Sequence, residues 1–276
     1  MPDVAVDPLT TAVDSLHSAG EMLLEIDPKI HFIIHSILVA YKIRQSEKES
    51  RLFALKYPIA SCATHFIVSL FGTILSNFLL GIPVIGVCTN PQNLFLSFLC
   101  WYLVFFSPWD TVFNLLNLLP LRIMLEILHE IKRAINVHLG VIQAAKVFPE
   151  AWTVMAIIGT IRGSGTNWGI TFSRLITNSP LAREHELIKF VAATRLCLIM
   201  GVLFGLSQVG KFTFDPLAIL PVLSTVMIAI RLGSLVYQWG DPFTSIQGIL
   251  WRPFVILIQE EIEFENSGSN EVSQFI

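Results

Sequence analysis

Charge is scarce in this chain. Only 14% of its 276 residues are Asp, Glu, Lys or Arg, against about 25% in a soluble globular domain. With 53% hydrophobic residues and a mean hydropathy of +0.65, that shortage excludes a soluble fold and predicts an integral membrane protein. A basic surplus is also missing. The formal net charge is −3, which removes nucleic acid from the expected partners, because such a partner needs a basic footprint. The four cysteines, Cys62, Cys88, Cys100 and Cys197, are scattered and show no CxxC spacing, so they are expected as packing residues and no metal site is predicted. HExxH, GxSxG and paired aspartates do not occur; with no such constellation, the chain is not expected to be an enzyme. The first 20 residues lack a basic segment followed by an apolar run, so insertion is expected to rely on the first spanning helix. The ending EVSQFI is neither a retention address nor a prenylation box.

What the chain does have is a series of apolar runs of spanning length. They predict an all-α integral membrane fold with seven transmembrane helices, at about residues 26–41, 57–81, 94–112, 121–140, 151–176, 187–208 and 216–237. Residues 1–25 form an acidic lead, 26–237 the membrane domain, and 238–276 a polar, flexible tail. Lys42, Arg44, Lys48, Arg51 and Lys56 crowd the first loop. That density marks the cytoplasmic side, and Arg122, Arg174, Arg183 and Lys189 flank the same side. The N-terminus is therefore expected to be lumenal and the tail cytosolic, with Lys146 and Lys211 as the two exceptions. In the first span, His31 and His35 stand four apart, but no carboxylate completes a ligand frame, so packing or an interhelical hydrogen bond is expected. Pro108, within WYLVFFSPWD, should end or kink the third span.

The fourth span, LRIMLEILHEIKRAINVHLG, is the exception to the shortage of charge. At about 100° per residue, Arg122, Glu126, His129, Arg133, Asn136 and Gly140 share one stripe, flanked by Glu130 and Lys132. A charge at the centre of a spanning helix costs about 2.5–3.5 kcal/mol. Pairing of Glu126 with Arg122, and of Glu130 with Arg133, is expected to offset part of that cost. The stripe then marks a hydrated pathway or a charged ligand. Its bases either line a pore or hold an anionic lipid head group; composition leaves both open.

Counted in threes, the spans carry a further pattern. Gly72 interrupts the second helix of the first triplet, and Gly163 with Gly165 the second helix of the next. Glycine-interrupted segments at matching positions of two halves predict two inverted three-helix repeats plus a seventh helix, with a pathway between the interrupted helices.

WYLVFFSPWD, the charged run His129–Arg133, RGSG at Arg162–Gly165, the run Phe172–Leu175 and TRL at Thr194–Leu196, in this order, resemble the trimeric intracellular cation (TRIC) channel family. The resemblance covers about residues 25–235. It implies a homotrimer of seven-helix protomers, each with a pore bounded by kinked second and fifth helices. It further implies conduction of potassium, sodium and other monovalent cations across endoplasmic or sarcoplasmic reticulum membranes, as counter-ion current during calcium release. No cofactor is expected beyond a bound phosphatidylinositol bisphosphate, held near the pore by bases of the fourth helix, and the other partners implied are membrane lipids. The family's lysine at the start of its charged motif is His129 here, a later base is Asn136, and a double glycine is reduced to Gly72 with Thr73. Glu130 and Arg133 match.

The residues expected at the pore or lipid site are accordingly Arg133, His129, Lys132 and Glu130, with Gly72, Gly163 and Gly165 as bends and Arg162 and Arg195 as voltage-coupling or pairing groups. A secondary transporter with inverted repeats, and a non-conducting channel homologue, are the alternative expectations.

Overall fold

A computed structural model describes residues 8–46, 50–176, 192–212 and 215–237. The expected tail, 238–276, and the bases Lys48, Arg183 and Lys189 lie outside these residues. The described chain is helical, without strands: α1 (Pro8–Glu25), α2 (Pro28–Ser46), α3 (Ser50–Lys56), α4 (Pro58–Leu79), α5 (Pro91–Phe106), α6 (Thr111–Asn117), α7 (Leu119–Ala145), α8 (Trp152–Ile176), α9 (Ala192–Gln208) and α10 (Pro216–Val236). Helices α2, α4, α5, α7, α8, α9 and α10 fall on the seven expected segments in order. By length and composition, however, among the described residues only α4 and α10 qualify alone as membrane-crossing helices, and α5 with Pro108–Asn117 qualifies as a pair bent by 86°. The reason for α7 and α8 is chemical: they carry charges and amides that a lipid-facing helix cannot carry, and they turn them toward neighbouring helices.

The bend is where Pro108 was expected to act. Proline lacks the N–H that would continue α5, and Trp109 and Asp110 turn the chain with φ of +49° and +58°. Left-handed backbone is unfavourable for such residues, and two arginines anchor the corner. Asp110 accepts from Arg44 at 2.9 Å and from Arg51 at 2.6 Å, while Arg44 also stacks over Phe113, 4.1 Å from the ring centre. Below the corner, Leu38, Tyr41, Trp101, Val104, Phe105 and Leu125 form an apolar core joining α2, α5 and α7.

Helix α8 packs on α4, α7 and α9, making it the hub of the unit formed by residues up to Gly233. Its approach to α4 depends on two glycines. A Cβ on Gly165 would lie 2.2 Å from the Gly72 Cα, and one on Gly72 would lie 2.8 Å from the Arg162 carbonyl. Only hydrogen fits between these backbones. Both helices are continuous through these positions. The expected interruption is therefore corrected to a close helix crossing, which is the other use a membrane helix makes of glycine.

At the far end of the unit, α1 docks beside the start of α10. The Nδ1–H of His17 donates to Asp215, and His17 Nε2 lies 3.4 Å from Glu21. The hydrogen bond to Asp215 holds His17 above its ordinary value of 6.5. Partial burial acts to raise Asp215, but the bonds from His17 and the Leu217 amide outweigh it and hold the carboxyl below 3.8.

Candidate functional site

Helix α7 is built inside out. Glu126 is 1% exposed and Glu130 2%, whereas Met124 on the opposite side is 49% exposed. Proline in its first turn suits the helix start, where no N–H partner is available. From there the helix carries its polar stripe inward, against α2, α8 and α9.

Three cavities follow one another along that stripe. The first, 340 Å³, is lined by Lys42, Arg122, Glu126, Arg133, Arg174 and Arg231, among others. The second is a neck of only 20 Å³ bounded by His35, Ser69, Gly72, Thr73, His129, Lys132, Arg133, Asn136, Arg162, Gly163 and Thr166. The third, 350 Å³, is bounded by Thr73, Asn77, Leu139, Ile142, Gln143, Lys146 and Arg162. Arg133 is common to the first two, and Thr73 and Arg162 to the last two. The stretch from Arg122 to Lys146 rises about 36 Å along the axis, which is the depth of a bilayer core and part of its interface.

Each wall is held by specific contacts. Arg133 Nη1 donates to both Glu130 oxygens, at 3.0 and 2.9 Å, so the expected pair forms one turn apart. The other expected pair does not: Glu126 accepts from Arg231 of α10 at 2.8 and 3.0 Å and lies 3.5 Å from Lys42 of α2. Arg122 instead sits 5.9 Å from the Tyr41 ring. Arg231 meets Glu126 through two guanidinium nitrogens, one on each carboxylate oxygen. At the neck, the His129 ring stacks on His35 with centres 5.5 Å apart and an 8° tilt. His35 Nε2 donates to the Ser69 carbonyl at 3.0 Å, which fixes the stack against α4. Lys132 donates to the His31 carbonyl at 3.3 Å.

Of the residues expected at the site, the structure brings Arg133, His129, Lys132, Arg162, Gly72 and Gly163 to the neck. Glu130 lies behind Arg133 as its partner. Gly165 packs against Gly72, and Arg195, on α9, lines none of the three cavities. The histidines His31 and His35 are parted by function: one offers its carbonyl, the other its ring. Sequence reasoning missed Lys42 and Arg231 as site residues, though each is a charge within or beside an apolar helix. It also missed Gln143, a neutral amide with no such signal. Ligand atoms of Glu126, His129 and Glu130 lie within 4.8 Å of one another, but Arg231, Lys42 and Arg133 already neutralise both carboxylates. The cluster is an ionic network.

The first cavity thus presents five bases and one acid, a field that attracts an anionic group and opposes a bare cation. A family profile, TRIC channel, matches residues 47–238. The trimeric intracellular cation channel type 1B.1 of Caenorhabditis elegans is 26% identical over 252 residues, 88% of this chain and 85% of that protein. A solved C. elegans trimeric intracellular cation channel, in the absence of Ca2+, superposes with a TM-score of 0.74 at 26% identity, covering 80% of this chain and 96% of the other. A second structure, of TRIC counter-ion channels in calcium release, shares the fold at a TM-score of 0.73 and 22% identity, covering 80% and 99%.

Proposed function

Because the chain belongs to the TRIC channel family, we propose that it conducts potassium and other monovalent cations across the endoplasmic or sarcoplasmic reticulum membrane as counter-ion current during calcium release. The carrying observation is the series of three cavities along α7, wide, narrow and wide, joined by shared side chains. A track of that length inside one chain supports a pore within each protomer of a homotrimer. Packing of α4 on α8 and of α2 on α7 supports two inverted triplets plus α10, with seven spans in all. The N-terminus is then lumenal and the tail cytosolic, which puts the first cavity on the basic, cytosolic side.

The surplus of bases in that cavity supports an anionic lipid head group, a phosphoinositide, as its occupant. Guanidinium groups bind phosphate in a two-pronged manner, and neutralising them makes the entrance acceptable to cations. Replacement of the family's lysine by His129 takes one fixed charge out of the neck.

Single-channel recording of the reconstituted chain in potassium chloride, with and without added phosphoinositide, tests this. Discrete openings with a cation-selective reversal potential are expected. No current at any voltage sinks the proposal. The narrowness of the neck favours one second reading, alternating access: saturable, coupled flux without openings identifies a transporter instead.

A further inference from the structure

Arg162 stands where two of the cavities meet. It faces both the neck and the far cavity, and among the described residues no carboxylate pairs with it. Its Nη1 donates to Gln143 Oε1 on α7, while its buried Nε has no partner. Gln143 Nε2 in turn donates to Asn77 Oδ1 of α4 at 2.8 Å. The direction of this relay follows from donor inventory. A guanidinium only donates, so the Gln143 amide must turn its oxygen to Arg162, and its nitrogen is left facing α4. Asn77, 8% exposed, supplies the acceptor there. The relay therefore spans three helices, α8 to α7 to α4.

We infer that Gln143 is a positioning residue that draws the Arg162 guanidinium to the wall of the far cavity and keeps its charge out of the neck, with Asn77 setting the orientation of the amide. The inference rests on the channel reading above. A neck of 20 Å³ holds about one water. A guanidinium swung into it both blocks the passage and repels an arriving cation. Arg133 is held by two carboxylate oxygens of its own helix and cannot make that movement without breaking an ion pair. Arg162 is held by one neutral acceptor on another helix, as Lys132 is by the His31 carbonyl, but Arg162 alone of the two also borders the far cavity into which it can be drawn. A charge-assisted hydrogen bond of ordinary strength sets the ratio of docked to released Arg162 at about tenfold in favour of docking.

The test is single-channel recording of the full chain in planar bilayers with potassium chloride, comparing wild type, Gln143→Leu, Gln143→Glu, Arg162→Gln and the double variant Gln143→Leu/Arg162→Gln. Gln143→Leu is expected to lower time-averaged cation current about twofold, as the docked share of Arg162 falls from about ten in eleven to about one half. Gln143→Glu, which strengthens the hold, keeps at least wild-type current. In the Arg162→Gln background, Gln143→Leu has no effect. Wild-type current from Gln143→Leu, or an equal loss in both backgrounds, overturns the inference. Should Gln143→Leu fail to fold, Asn77→Leu is expected to reduce current in the same direction by a smaller factor, and unchanged current there overturns it equally. A silent wild type sinks the channel reading instead. The relay is then judged by thermal unfolding of the detergent-solubilised variants: additive effects of the Gln143 and Arg162 substitutions overturn it, and coupling upholds the contact.

Discussion

The two wide chambers differ little in size, 340 against 350 Å³, and greatly in how their walls are held. The first is a ring of ions: Arg231 and Lys42 converge on Glu126, and Arg133 on Glu130. The second is a relay of two amides, Asn77 and Gln143, ending on the Arg162 guanidinium, with Lys146 at its rim. Buried ions need partners of opposite sign at close range, so the first wall is stiff and its partners are not interchangeable. Amides bind through weaker, single contacts, so the second wall can rearrange. On the proposed channel reading, the contrast gives affinity for an anion to one end of the track and movement to the other.

Removing a pillar of the ionic wall is expected to have the largest effect. Arg231→Met leaves Glu126 buried with Lys42 alone and should cost about 3 kcal/mol in unfolding free energy, read by thermal or denaturant unfolding in detergent. Adding Glu126→Met should restore part of the loss, because the buried carboxylate is gone and only Lys42 is left without its partner. Restoration that fails would mean that the pair shapes the chamber and does more than neutralise it.

Between the chambers, Gly165→Ala forces a methyl against the Gly72 backbone. About 2 kcal/mol of destabilisation is expected from such overpacking, with altered conductance because the neck is bounded by the same crossing. The same unfolding assay checks it, and a neutral result would contradict the close approach of α4 and α8.

Smaller still, Arg122→Gln should weaken binding of anionic-lipid vesicles by about 1 kcal/mol, roughly fivefold. Lys146→Gln at the other chamber should change it much less. Equal losses in a vesicle-binding assay would erase the distinction between the chambers.

The smallest effect concerns the docking of α1. His17 stabilises its contact below 6.5 and loses that contribution as pH rises through its raised value. Asp215 stabilises it above 3.8 and loses that contribution as pH falls through its lowered value. The contact is therefore firmest between those two limits. Hydrogen exchange of α1 amides should be slowest in that window and faster on both sides of it, and Asp215→Asn should flatten the profile.

Much of this site was legible because charges are so few. A stripe containing Glu126, Glu130 and Arg133 in a spanning run can only face inward, and the pairing of Glu130 with Arg133 follows from one helical turn. The partner of Glu126 was not legible, since Arg231 stands 105 residues away and Arg122 offered a nearer base at the right spacing. Gly72 and Gly165 announced that something close happens at two matched positions, but a glycine in a helix permits either a bend or a contact.

By itself, then, the sequence determined that the chain lives in a membrane, that its described helices follow one another in the order they do, and that α7 turns its charges inward. These follow from hydropathy, helical period and the cost of a charge in hydrocarbon, all of which act locally along the chain. Tertiary structure alone decided which helix answers each charge, that α4 and α8 cross without interruption, and that Arg162 meets a neutral amide, Gln143, on the wall of the far cavity. Those outcomes depend on the distances between helices, and side chains far apart in sequence settle them only when packing brings them within reach.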